Sequence, residues 1–246
     1  MPARHKANTM LQLFIGNKNY SSWSMRPWVL LTQAGIPFEE VMVRFDAFDD
    51  DSSFKLSLKG ITPTGKVPVL VDGELAVWDT LAIAEYVAEY VAEIAADQPG
   101  AQPLWPANRA ARAHARSICA EMHSGFTALR SNCPMNIEAH LPDIGVLIWR
   151  DKAGVRADVA RLVTMWNDLL QTHGGPMLFG AFSVADAYFA PVCMRIKTYA
   201  LPVPAEISAY IDRVCALPGV QAWIEGALAE KDFLDFEEPY RVHPGT

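Results

Sequence analysis

No apolar run in this sequence approaches the ~18 residues that a membrane-crossing helix needs. Helical membrane proteins are excluded on that ground. A surplus of basic residues is missing too: 21 Lys and Arg stand against 28 Asp and Glu, for a formal net charge of −7. Nucleic-acid binding calls for a basic face, so a nucleic-acid partner is not expected. The four cysteines, Cys119, Cys133, Cys193 and Cys215, form no C-x-x-C pair, which argues against zinc, other metals and dithiol redox chemistry. Residues 1–10 carry charge but lack the apolar stretch of a secretory signal, and read as a flexible extension. Without export, the cysteines are expected as reduced thiols and the protein as cytoplasmic. Repeats and low-complexity tracts are also lacking. What is there is an ordinary globular composition, 51% hydrophobic and 20% charged. A chain of 246 residues can bury about 70 to 75% of its extended-chain surface.

Two halves with different local signals are visible. The short apolar run Leu11 to Ile15 is followed by a loop and then by Ser21-Ser22-Trp23-Ser24-Met25-Arg26, with hydroxyls opening a helix that Gly35 ends. Ile36 to Phe45 reads as a second strand and Asp50 to Leu58 as a weak second helix. A strand, a helix and a strand imply a parallel βαβ unit. Three prolines and a glycine between Ala95 and Pro106 make continuous helix improbable, so residues 95–106 read as a linker. Beyond it the strand signals stop. Helical stretches are expected over Asn108 to Arg130, Ile144 to His173, Ser183 to Tyr199, Pro204 to Leu217 and Val220 to Glu230. Residues 11–94 are thus one α/β domain and 107–246 an all-α domain.

The segment Gly65-Lys66-Val67-Pro68-Val69-Leu70-Val71 carries the most chemistry. Proline is tolerated at the first residue of a strand but not within one. An X-Pro bond is also the common site for a cis peptide, which would turn the Val67 N–H and C=O out of the sheet, free for a ligand's backbone. Asp72-Gly73 between apolar runs is a hairpin signal, with positive φ expected at both residues. Asp79-Thr80 falls where an N-cap belongs, and unpaired N–H groups there suit a ligand carboxylate. The plain alternative is an ordinary hairpin followed by a capped helix. Downstream, Ser183 and Asp186 have capping-box spacing, a folding signal rather than a chemical one.

Taken together, these motifs resemble the glutathione transferase family, whose amino-terminal domain is thioredoxin-like and whose carboxy-terminal domain is all-helical. The resemblance runs from about Leu11 to Leu234. It is closest to the serine-type, zeta-like group and its Ser-Ser-Cys-Ser-Trp-Arg pattern, with Trp23 standing in place of the cysteine. It implies glutathione as co-substrate, with Ser21 as the thiol-activating hydroxyl and Ser22 next in line. Lys66, Val67 and Pro68 match the backbone clamp for the cysteinyl part, and Asp79 and Thr80 the pair that receives the γ-glutamyl group. The resemblance also implies a homodimer.

The implied chemistry has a definable size. A free thiol is only a few per cent thiolate at pH 7, and the thiolate is the nucleophile. Lowering the thiol pKa by two units requires about 2.7 kcal/mol of preference for the charged form. One charge-assisted hydrogen bond contributes roughly 1.5 to 3 kcal/mol, so a serine hydroxyl at a helix N-terminus is sufficient. No His or Lys adjacent in sequence makes the serine a base, and a plain N-cap is its structural alternative. For the electrophile, polar interruptions of an apolar helix single out His123 and Arg130, which would suit an acidic or carbonyl-bearing substrate if both face the cleft. A core or surface histidine and an arginine complementing a helix dipole are the plainer readings. Three functions stand at this point: a transferase acting on a small electrophile, a glutathione-dependent isomerase of maleylacetoacetate type, and a non-catalytic binding protein on the same fold.

Overall fold

In a computed structural model the structure describes residues 10–94 and 103–244. The expected extension 1–10 and the linker 95–106 fall largely outside these residues. The described end of the linker is not loose: Leu104 and Trp105 are buried in the core, and the Leu104 carbonyl accepts from the Val184 N–H at 2.9 Å.

The amino-terminal half follows the expected order. Strand β1 (Leu11–Ile15) buries Leu11, Leu13 and Ile15 in alternation, as period-2 side chains on a one-sided sheet require. Helix α1 (Ser22–Gln33) crosses to β2 (Phe38–Met42), which pairs parallel with β1 in the register Leu11↔Phe38 to Ile15↔Met42. Helix α2 (Ser53–Ser57) is capped by Ser52, whose side chain accepts from Lys55 N–H. Strands β3 (Val69–Asp72) and β4 (Leu75–Trp78) form the antiparallel hairpin, and the sheet order is β2-β1-β3-β4. Helix α3 (Thr80–Ile94) follows. The hairpin differs in one detail from its expected form. Asp72 pairs with Leu75, so the loop is Gly73-Glu74, and only Gly73 takes positive φ, at 59°. Glycine at the first central position is what a type II′ turn demands.

The second half is helical. Its elements are α4 (Arg109–Ser124), α5 (Thr127–Asn132), α6 (Pro142–Asp151), α7 (Ala153–His173), α8 (Val184–Thr198), α9 (Ala205–Cys215) and α10 (Pro218–Glu230), then a short 3₁₀ turn, Asp235–Glu237. The single helix expected over Asn108 to Arg130 is two. Phe126 takes a left-handed conformation with φ 53°, and a Cβ on Gly125 would lie 2.7 Å from the Glu121 carbonyl. The break is therefore a backbone event at two residues, and the Arg130 side chain reaches back across it to the His123 and Gly125 carbonyls at 3.2 and 3.3 Å.

Helix α8 is the pillar of the domain, buried along nearly its whole length and packed on α1, α4 and α9. Its capping box forms as expected. The Asp186 carboxylate is fully buried and accepts from the N–H groups of Leu178 and Ser183 and from the Ser183 and Tyr210 hydroxyls. No helix among the described residues is long and apolar enough to cross a membrane.

Residues 231–241 form a strap that returns to the amino-terminal half. Buried Glu238 accepts from the Tyr20 hydroxyl at 2.7 Å and from Asn136 Nδ2 at 2.8 Å, and pairs with Arg241 at 2.6 Å. Asp232 binds Asn17 Nδ2 at 2.6 Å and pairs with Arg44.

Candidate functional site

The site is built around the N-terminus of α1. The Asn17 carbonyl accepts from the N–H groups of Tyr20 and Ser21, which folds the loop so that Ser21 becomes the N-cap. Both serines are nearly buried, at 6% and 7% exposure, yet they differ in how their hydroxyls are used. Ser21 Oγ donates to Ser24 Oγ at 2.7 Å, and Ser24 Oγ accepts from the Gly16 N–H at 3.1 Å. The Ser21 proton is thus committed inside the turn. Ser22 Oγ instead accepts from Arg195 Nη2 at 3.1 Å, and its own proton meets no acceptor among the described residues.

A cleft of ≈530 Å³ opens on these residues. One wall is Tyr20, Ser21, Ser22 and Trp23. A second comes from the sheet domain and includes Phe45, Phe48, Phe54, Lys55, Lys66 and Val67. The third is helical, with Thr127, Arg130, Ser131, Pro134, Met135 and Arg195, and Glu237 of the strap closes it. The Val67–Pro68 peptide is cis, and the β1–β3 ladder begins only at Val69. Val67 is thus outside the ladder, and it lines the cleft.

Of the residues singled out from the sequence, Ser21, Ser22, Lys66, Val67 and Arg130 share the cleft, whereas Pro68, Asp79, Thr80 and His123 do not line it. Asp79 caps α3, accepting from Leu81 N–H at 2.8 Å, with a left-handed φ of 76° that an L residue adopts only under local constraint. Thr80 is 2% exposed and its hydroxyl pairs with Tyr188 Oη at 2.8 Å. His123 does not face the cleft beside Arg130. It stacks on Trp23 with centroids 5.0 Å apart, approaches Tyr188 Oη at 3.1 Å and lies 3.4 Å from Asp79 Oδ2. His123 and Arg130 remain neighbours, since Arg130 Nη1 donates to the His123 carbonyl at 3.2 Å and both pack on Trp23, but of the pair Arg130 lines the cleft.

Sequence reasoning missed Arg195, Glu237 and the phenylalanine cluster. The cluster unites Phe45, Phe48 and Phe54 edge to face and reaches Phe236 of the strap, an assembly of residues far apart in the chain. Arg195 did leave a signal: it is a charged residue inside the helix that follows the capping box, a helix that is otherwise apolar through Met194 and Ile196.

The electrostatics of the cleft are cationic and poorly compensated. Arg195 is buried, and its guanidinium donates to the Cys133 carbonyl at 2.5 Å besides Ser22. Burial lowers its pKa to about 10, with the neighbouring Arg130 adding to the effect, so it remains charged at neutral pH. Arg26 is likewise buried and lowered to about 10 by desolvation. It lies between the Trp23 and Tyr188 rings at 4.1 and 4.7 Å, gives one bond to the Tyr188 carbonyl, and leaves Nη1 without a partner. Arg130, which lines the cleft where Arg26 does not, also lies over Trp23, at 4.9 Å. None of the three has a carboxylate within ion-pair distance among the described residues. Glu237 lines the cleft with its pKa raised by burial. Such a cleft can hold an anionic ligand and stabilise a negative charge at the end of α1.

Comparison with known proteins agrees with this architecture. The family model described as glutathione S-transferase, N-terminal domain, matches residues 20–89, and that described as glutathione S-transferase, C-terminal domain, matches residues 110–226. A glutathione transferase homologue from Burkholderia, solved with bound glutathione, is 24% identical with a TM-score of 0.65 over 90% of this chain and 99% of its own. Maleylacetoacetate isomerase from Methylobacterium extorquens AM1, solved with malonate and glutathione, is 23% identical with a TM-score of 0.61 over 88% and 97%. These likenesses show a shared fold. Dichloromethane dehalogenase from Methylorubrum extorquens is 46% identical over 52 residues, 21% of this chain and only 17% of that protein. With both halves matched in order, over more than half of its length, the chain belongs to the glutathione S-transferase family.

Proposed function

We propose that the protein is a serine-type glutathione transferase, in which a hydroxyl at the start of α1 keeps the glutathione sulfur ionised for attack on a small electrophile. The observation that carries this reading is the pair Ser21 and Ser22 on the wall of a ≈530 Å³ cleft that Lys66 and Val67 line from the opposite domain face. The Val67 backbone would take the cysteinyl part of glutathione, with Lys66 alongside. The pair Asp79 and Thr80 at the start of α3 would take the γ-glutamyl end, its ammonium at the Asp79 carboxylate, since the Thr80 hydroxyl and the Leu81 N–H are already engaged. In the reaction the thiol proton passes to solvent, the sulfur forms a bond to the electrophilic carbon, and the leaving group departs with its bonding pair.

The sequence ranks Ser21 first, but the hydrogen bonds favour Ser22, whose proton is free to reach a sulfur. Loss of a single such donor costs about 100-fold or more in turnover. Ser22→Ala is therefore expected to lower kcat/KM of aryl-halide conjugation about 100-fold, with Ser21→Ala the milder change. Wild-type turnover by both variants would refute the assignment. A glutathione-dependent isomerase is the second reading, supported by the serine-type motif. Glutathione is consumed stoichiometrically in the first case and recovered intact in the second. A homodimer is proposed from family membership, and light scattering of the purified protein tests it.

A further inference from the structure

We propose that Arg195 is a positioning residue for thiol activation, holding Ser22 with its proton directed at the sulfur and adding a fixed positive charge behind it. The inference rests on the transferase reading and goes beyond it, since the serine alone is that reading's activating group.

Three observations carry it. Arg195 stands on α8, in the other domain, yet its Nη2 donates to Ser22 Oγ at 3.1 Å. A hydroxyl whose oxygen accepts from a guanidinium must donate elsewhere, and the open direction is the cleft. The second observation is anchorage. Nη1 donates to the Cys133 carbonyl at 2.5 Å, which fixes the planar fork from the other side. The third is charge balance. Arg195 is 6% exposed, and no carboxylate is within ion-pair distance among the described residues. A buried cation with no carboxylate bonded to it is costly; Glu237 across the cleft offsets it only from a distance, and a thiolate in the cleft would relieve the cost further. The burial that lowers the Arg195 pKa to about 10 leaves it charged at working pH.

Other charged groups face the same space and define the background. Arg130 of α5, Lys55 of α2 and Lys66 of the loop before β3 add positive charge, whereas Glu237 of the strap subtracts it. Tyr20 is tied to Glu238, with its pKa raised to about 12 by burial and by that bond, so it stays neutral. Of these cations, Arg195 is the one bonded to the serine hydroxyl. Deprotonation itself breaks the S–H bond with the electron pair kept on sulfur, and the proton goes to solvent.

The test follows the ultraviolet absorbance of bound glutathione thiolate against pH in the wild type, Arg195→Gln and Arg195→Lys. The bound thiol pKa is expected to rise by about one unit in Arg195→Gln, a tenfold loss of thiolate below that pKa, and to return most of the way in Arg195→Lys. KM for glutathione is expected to change less than about twofold, because the effect is on the sulfur's charge rather than on binding. An unchanged thiol pKa in Arg195→Gln overturns the proposal. Should the Arg195 variants not fold, Ser22→Cys reads the same field with Arg195 in place. The introduced thiol is expected to titrate at least about one unit below the ordinary 8.5, and a value at or above 8.5 overturns the proposal. Ser22→Ala separates the two claims: loss of activity there with an unmoved pKa in Arg195→Gln leaves the transferase reading standing and removes this one.

Discussion

Two buried arginines in this molecule have opposite surroundings. Arg241, on the strap, is embraced by carboxylates: Glu238 takes two of its nitrogens at 2.6 and 2.9 Å, and Glu138 lies at 3.1 Å. Its hydrogen bond to Glu238 drives its pKa up. Arg195, on α8, has backbone carbonyls and a serine, and burial drives its pKa down. Both guanidiniums are about equally hidden, at 5% and 6% exposure, so burial does not distinguish them. What distinguishes them is whether a carboxylate of the chain is bonded to the guanidinium. Where one is, the ion pair fastens the strap; where none is, the cleft is open and a ligand can supply the anion.

Breaking the compensated centre should have the largest effect on stability. Glu238→Leu leaves Arg241 with Glu138 alone and takes the acceptor from Tyr20 and Asn136 together, and is expected to cost about 3 to 5 kcal/mol of unfolding free energy in urea titration. A cost near zero would mean that the strap is held by packing instead.

Asp186 extends the comparison to a buried carboxylate with no cation, held only by neutral donors. Burial raises its pKa to about 6, above the usual carboxylate range. The folded state therefore keeps this proton to a higher pH than the unfolded chain does. The associated stability is complete below about pH 4 and is lost as pH rises through about 6. Between pH 4 and 7 the wild type should lose on the order of 2 kcal/mol that Asp186→Asn does not lose, measured by the difference of their urea unfolding curves.

Arg26 should have the smallest effect. One of its nitrogens has no partner and no carboxylate faces it, so replacing it by a methionine of similar length removes a desolvated charge along with one hydrogen bond. Arg26→Met is expected to change stability by less than about 1 kcal/mol in thermal unfolding. A loss of several kcal/mol would place Arg26 with Arg241 rather than with Arg195.

The parts of this fold legible in the sequence are those written locally. Pro68 at the strand start, Asp79 before an apolar helix, the serines opening α1 and the Ser183 to Asp186 spacing each act within a few residues, and each is found in its expected element. The hairpin was offset by one residue because Asp72 and Gly73 both favour turns and cross-strand pairing decides between them. The site was legible on its sheet side and obscure on its helical side. Ser22 and Arg195 are 173 positions apart, and the break that puts His123 and Arg130 on different helices shows only in the Phe126 backbone. Tertiary packing chooses such partners, and periodicity within one helix carries no record of them.

The bond from the Tyr20 hydroxyl to Glu238 spans 218 positions. Tyr20 immediately precedes the serines, so the wall they belong to acquires a support from a stretch that the ribosome makes after α10. A nascent chain can form its sheet domain early, yet the cleft wall beside Ser21 and Ser22 is completed only when that late stretch arrives.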